Sequence, residues 1–287
     1  MSSTFTPAGW YPNPDGTGGL RYWNGTRWTE HTHGAGVVAP PATATTTTAT
    51  PESPSAEPPR GVGIALIGFA VGAGAGIGLL AALDAAGNPG GDVVALCVSL
   101  LALWAGLLGA VFFVSRRRGA GSLRRDFGLA FRRADLGIGA LGAIVGRSTT
   151  VVVAIPLYAA FHDLLRNPSV GIPVHDLTPG LFAVYAVGAC VGAPIVEELF
   201  FRGLIQTRLV WRYGAAPGIA ITSVMFGAAH LIGWQGPASI LAATAIAAGG
   251  VVLGYLRNRT GRLGTSMVAH SLFNAFAVLL LGFGVGR

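Results

Sequence analysis

From Val62 to the C-terminus the chain is a succession of apolar stretches, each around twenty residues long and bounded by arginines or by Gly/Pro punctuation. At ~1.5 Å of rise per residue, ~20 residues cross the ~30 Å hydrocarbon core of a bilayer, and in lipid each span has to satisfy its own backbone N–H and C=O groups. These runs therefore fold as helices. Composition agrees, with 52% hydrophobic and only 11% charged residues, against about a quarter charged in soluble domains. The expectation is an all-α polytopic membrane protein, a bundle of about seven transmembrane helices, preceded by a tiny β-rich N-terminal module and a disordered linker. The expected spans are 62–83, 93–114, 138–161, 179–201, 217–232, 237–256 and 263–285, the fifth being short enough to be partly re-entrant. In the first, Gly68, Gly72 and Gly76 form small-xxx-small patterns that bring helices into close approach.

The net charge of +7 comes from arginines clustered between apolar runs. Such clusters set topology and do not build one basic face, so nucleic acid is not an expected partner; membrane lipid is. Arg116 to Arg118, Arg124, Arg125, Arg132, Arg133, Arg208, Arg212, Arg257, Arg259 and Arg262 fall in loops on one side, whereas the opposite loops hold Arg166. The positive-inside rule then predicts a multi-pass protein of the cell (inner) membrane, with a cytoplasmic N-terminus and the C-terminus outside. His162-Asp163 and His175-Asp176 fall in an outside loop and read as solvated surface. Cys97 and Cys190 lack metal-type spacing and sit inside apolar stretches, which excludes a disulfide framework.

Residues 1–33 form a separate Trp-rich module: Asp15-Gly16 and Asn24-Gly25 are turn dipeptides, and the aromatics Tyr22, Trp23 and Trp28 favour short strands. Residues 8–31 resemble a short domain of unknown function, found mainly in high-GC Gram-positive bacteria and often placed before membrane segments; the resemblance implies no activity and no particular partner. Residues 34–60, rich in Thr, Ala and Pro, bury too little apolar surface to fold and read as a disordered linker. Residues 61–135 hold two spans and a basic cytoplasmic loop, and 136–287 hold the rest of the bundle.

Ionisable residues inside spans are costly, so each marks a function or a structural pairing. The candidates are Glu197, Glu198 and Arg202 in APIVEELFFRG, Phe226 and His230 in FGAAH, and His270 and Asn274 in AHSLFN, with Arg147 a packing ion-pair candidate. On a helix Glu198 and Arg202, four apart, can pair, while Glu197 is turned about 100° away and is left without a local partner. Phe226 with His230, and His270 with Asn274, each share a face. Together they predict one buried polar cavity, though helix-locking ion pairs and interhelical hydrogen bonds account for any one motif taken alone.

EELFFR, FGAAH and HSLFN match in order and spacing the EExxxR, FxxxH and HxxxN motifs of the CPBP intramembrane protease family, which includes the type II CAAX prenyl endopeptidases and bacteriocin-immunity-associated homologues. The resemblance covers about residues 136–285. It implies hydrolysis of peptide bonds in a membrane-associated peptide or protein substrate, with catalytic residues Glu197, Glu198, His230, His270 and Asn274, supported by Arg202 and Phe226. Two mechanisms stay open. In one, Glu197 is the general base, His230 helps hold the water, and His270 and Asn274 donate to the oxyanion. In the other, Zn or another divalent metal is bound by Glu197, His230 and His270, the three protein ligands a catalytic zinc requires. The rival classes are a non-catalytic scaffold or immunity-type protein and a proton-coupled transporter. Counting rise from the cytoplasmic ends puts Glu197 and His270 about 10 Å deep and His230 nearer 20 Å, a mismatch that a straight bundle does not reconcile.

Overall fold

The structure, a computed structural model, describes residues 9–16, 19–23, 28–33, 60–161, 178–232 and 237–282. The Asn24-Gly25 turn, the linker up to Pro59 and the two His-Asp pairs lie outside the described residues. The chain divides into two compact units, Met1–Ser53 and Pro54–Arg287.

In the first unit β1 (Gly9–Pro12), β2 (Leu20–Trp23) and β3 (Trp28–His33) make a three-stranded antiparallel sheet in the order β1-β2-β3. Asp15-Gly16 lies in the β1–β2 loop, where Gly16 takes φ +73°, a conformation that a residue with a Cβ adopts at a cost. Trp23 faces Trp28 across the β2–β3 pair, their rings edge to face at 5.3 Å, and Tyr11 meets Trp28 at 6.1 Å. The expected short strands are present, three of them among the described residues.

The second unit is helical: α1 (Val62–Ala85), α2 (Gly91–Arg118), α3 (Leu123–Phe127), α4 (Ala134–Phe161), α5 (Pro179–Tyr213), α6 (Ala215–Ala229), α7 (Pro237–Thr260) and α8 (Leu263–Gly282). All but α3 and α6 are long and apolar enough to span a bilayer. Their outward residues are apolar and open, as at Ile67 and Val152, 65% and 69% exposed, which suits contact with lipid tails. Two expected spans change. The fifth is α6, fifteen residues long, or about 22 Å, short of the ~30 Å core. The fourth does not stop at residue 201 but continues to Tyr213, because Thr207–Tyr213 forms about two further helical turns that end at Gly214.

Glycine sets the α1–α2 contact. A Cβ on Gly68 would stand 2.7 Å from the Gly106 carbonyl oxygen, and one on Gly106 would stand 2.7 Å from Gly72 Cα. The backbones thus touch where no side chain fits. Gly106→Val is expected to overpack this seam and cost about 1–3 kcal/mol, read as a lower Tm in detergent; an unchanged Tm would show the close approach to be dispensable.

The remaining helices are tied at the basic end. Asp126 caps the α2–α3 turn, accepting from Ser115 Oγ at 2.5 Å and from the Ala120 and Ser122 N–H groups at 2.7 and 3.1 Å. Asp135, fully buried at the start of α4, accepts from Arg262 Nη2 at 2.6 Å, from Thr265 Oγ1 at 2.5 Å and from the Arg132 N–H at 2.7 Å. The first N–H groups of α8 find partners outside the helix: Leu263 donates to the Gly128 carbonyl and Gly264 to the Ala130 carbonyl, at 2.9 and 3.0 Å. Orphan helix-end donors are thereby satisfied, and α8 is held in register against α4.

Candidate active site

The site is built on α5, α6, α7 and α8, and α5 is irregular where it matters. Two π-helical stretches, Gly188–Gly192 and Glu198–Gln206, interrupt its α-helical turns, and π-turns of this kind recur at functional sites. Gly192 and Pro194 lie at and just after the first, and the Trp104 indole of α2 packs where a Cβ on Gly192 would stand. Pro194 brings no N–H. In the π register the carbonyl left over is that of Ala189, five residues earlier, and Asn274 Nδ2 donates to it at 2.7 Å. That is where the structure places Asn274: one amide hydrogen mends the α5 backbone.

Glu198, Arg202 and Gln206 form a polar ladder along the second π stretch, each at most 2% exposed. Arg202 Nη1 lies 3.0 Å from Glu198 Oε1 as an ion pair, Nη2 donates to the Gly250 carbonyl at 3.3 Å, and the guanidinium carbon sits 4.1 Å over the Phe226 ring. Gln206 Nε2 donates to the Gly254 carbonyl at 2.9 Å. Gly250 and Gly254, one turn apart on α7, leave room for these side chains: a Cβ on Gly254 would stand 2.7 Å from Gln206 Oε1.

His270, 4% exposed, is approached by both glutamates. Its Nδ1 is 3.1 Å from Glu198 Oε1, and its Nε2 is 3.9 Å from Glu197 Oε2. Glu197, without a local partner on its own helix, meets His270 of α8. The two carboxylates leave α5 in different directions yet straddle one imidazole, because α8 packs against the flank between them. Glu197 Oε2 and Glu198 Oε2 are buried and make no hydrogen bond with the described residues.

Phe226 is the hub of the aromatic packing. Its ring is edge to face with Phe201 at 5.2 Å, with His230 at 5.0 Å and with His270 at 5.7 Å. His230 Nδ1 bonds the Phe226 carbonyl at 2.8 Å, so both imidazoles have Nδ1 engaged. The counted depths of Glu197 and His230 also come into line. With α5 extended to Tyr213, Glu197 lies about 24 Å along the helix from that end, against about 22 Å from the start of α6 to His230. The α7 neighbours confirm an antiparallel α6–α7 pair, Ile219 lying near Gly254 and Gly227 near Ala243 and Ala247.

Arg147 donates from Nη2 to the Phe273 carbonyl at 2.7 Å and lies 4.1 Å from the Phe273 ring and 5.1 Å from that of Phe276. It joins α4 to α8 through a carbonyl and two rings and not through the carboxylate expected of it. Glu197, His230 and His270 are donors a metal accepts, and an engaged Nδ1 is what a metal-ligating histidine commonly has. Among the described residues, however, no three His, Cys, Asp or Glu side chains converge as a metal-holding group. The residues as placed do not fit the three-ligand centre.

Sequence reasoning missed Gln206 and Arg257. Gln206 continues the four-residue spacing of Glu198 and Arg202, a signal available in the sequence. Arg257, whose Nη2 donates to the Phe127 carbonyl at 3.0 Å, reads from sequence as a loop-facing topology charge, and only the fold turns it inward.

These features define a multi-pass helical membrane protein with a buried Glu-Glu-His-Arg cluster. Residues 179–276, which hold every one of the site residues from Glu197 to Asn274, match the family model described as type II CAAX prenyl endopeptidase Rce1-like. Residues 8–55 match DUF2510, a family of unknown function, reaching past the tryptophan-rich strands. No curated protein and no solved structure matches the chain.

Proposed function

We propose that this protein is an intramembrane endopeptidase that hydrolyses peptide bonds of membrane-associated substrates by a metal-free Glu/His mechanism. The observation that carries the reading is a single buried imidazole, His270, with Glu198 at its Nδ1 and Glu197 at its Nε2. Two carboxylates against one guanidinium, with the imidazoles neutral, leave the cluster one negative charge. It can accept a proton from water without creating net charge in lipid, where isolated charge is costly.

Glu197 takes that proton as the water oxygen bonds to the scissile carbonyl carbon and the carbonyl π pair moves onto oxygen. His230 Nε2 holds the same water through its second hydrogen. The proton passes from Glu197 to His270 Nε2, and Glu198, accepting from Nδ1–H, stabilises the imidazolium as the acid partner of a triad does. His270 and the amide hydrogen of Asn274 not used by Ala189 donate to the oxyanion. Collapse of the intermediate breaks the C–N bond, and His270 returns the proton to the leaving amine. Arg202 positions Glu198 and does not touch substrate. The basic ends of α2, α5 and α7 and the N-terminal module lie in the cytoplasm, with the end of α8 on the far side of the cell membrane, by the positive-inside rule.

The test uses the purified full-length chain in proteoliposomes with a library of membrane-anchored peptides, before and after exhaustive chelation and with metal analysis. Cleavage is expected to survive metal removal. Loss on chelation with recovery on adding zinc sinks the metal-free mechanism. No cleavage of any anchored peptide by a fully folded chain favours the scaffold reading, to which the bonds from Arg202, Gln206 and Asn274 to backbone carbonyls lend themselves.

A further inference from the structure

A concavity lies away from this cluster. A cavity of about 620 Å³ is lined by Leu129, Phe131, Leu136, Met267, Val268 and Leu272 among others, within the ~300–1,000 Å³ range of ligand pockets. Val268 and Leu272 stand two residues either side of His270, or about 200° around α8, so the groove opens on the face of α8 turned away from the Glu-His-Arg cluster. Its lining is apolar except for Ser271.

Its wall is fixed. The segment from Gly128 to Ala130 is bonded to the first N–H groups of α8. A Cβ on Gly264 would stand 2.7 Å from the Ala130 carbonyl oxygen, so loop and helix are in backbone contact. Asp135, gripped by Arg262 and Thr265, pins the start of α4 beside them. Between the lining residues Phe131 and Leu136 the chain turns through Arg132 and Arg133. Both are exposed, and neither guanidinium has a hydrogen bond or ion pair with a described residue. Arg262, the next cation along, is already bound to Asp135.

An apolar trough at the basic end of a helical bundle, with two exposed arginines in the segment between two of its lining residues, matches one molecule by charge and by shape. We propose that this groove is a binding site for an anionic phospholipid, one acyl chain lying along α8 between Met267 and Leu272 and the headgroup phosphate held by Arg132 and Arg133. Arginine suits phosphate through its forked donors, and basic pockets between spans are recognised lipid headgroup sites. The site is independent of the catalytic reading and survives its failure.

The test places the full-length protein in nanodiscs of equal phosphatidylglycerol and phosphatidylcholine with identical acyl chains, extracts it in mild detergent and measures retained lipid by native mass spectrometry. The wild type is expected to keep one phosphatidylglycerol in preference to phosphatidylcholine. An R132Q/R133Q variant should lose roughly five-fold in that preference for each charge removed, with unchanged Tm. Leu272→Trp, filling a groove whose Leu272 is 44% exposed, should reduce retention of both lipids. Equal retention of the two headgroups by the wild type, or a preference unaltered in R132Q/R133Q, overturns the proposal. Displacement of the lipid by a lipid-tailed peptide, with cleavage of that peptide lost in Leu272→Trp, reassigns the groove to substrate and overturns it as well.

Discussion

Replacing Arg202 with leucine is expected to destabilise the protein by about 3–5 kcal/mol, the range for removing one partner of a buried ion pair. The guanidinium is completely shielded and faces the Glu198 carboxylate, the Gly250 carbonyl and the Phe226 ring. Its removal leaves Glu198 charged in a medium that cannot solvate it, with the His270 imidazole as its remaining partner. Folding yield and Tm in detergent should drop together. The companion variant Glu198→Gln with Arg202→Leu removes both charges and is expected to recover much of the loss, since deleting a whole buried pair is often close to neutral. If Arg202→Leu melts with the wild type, the pair does not stabilise the bundle and Arg202's role as a positioning residue fails with it.

Glu197→Gln carries the largest expected effect on activity. Its side chain is 17% exposed and its contact within the cluster is the 3.9 Å approach to His270 Nε2, so the amide should be accommodated with the fold intact. Loss of a general base costs about 10²–10⁴ in rate, and cleavage of an anchored peptide by the variant is expected to fall by that factor while Tm stays within the scatter of the measurement. The contrast with Arg202→Leu is the diagnostic: one variant loses activity and keeps stability, the other loses stability first. A Glu197→Gln protein that cleaves at the wild-type rate would move the base to another group. Equal destabilisation in both variants would return the cluster to a packing role.

Some of this is legible in the sequence in advance. Glu198 and Arg202 pair as their four-residue spacing requires, because helical neighbours are local and fixed by backbone geometry. His230 likewise reaches the carbonyl of Phe226, four residues back. The spans were legible for the same reason, since apolar length maps directly onto a bilayer. The partner of Glu197 was not legible because it lies on α8, and no local rule says which flank of α5 that helix will cover. Asn274 was read as a free donor because its partner is a carbonyl exposed by a π-turn that spacing does not announce. The fourth span was expected to end at 201, whereas the helix runs on past Arg202 and Gln206, to which α7 offers backbone carbonyls beside Gly250 and Gly254 in place of solvent.

The amino-acid sequence alone determined that this chain builds a helical bundle in lipid, that a small aromatic sheet precedes it, and which side chains are too polar for their surroundings to be there by accident. Hydrophobic length, turn chemistry and the cost of buried charge act along the chain and need no knowledge of the fold. Which of those polar groups meet was decided by the tertiary structure alone. Convergence of Glu197, Glu198 and His270 depends on where α8 crosses α5, and that crossing is set by glycine contacts, helix-end capping and the Asp135 network between segments more than a hundred residues apart.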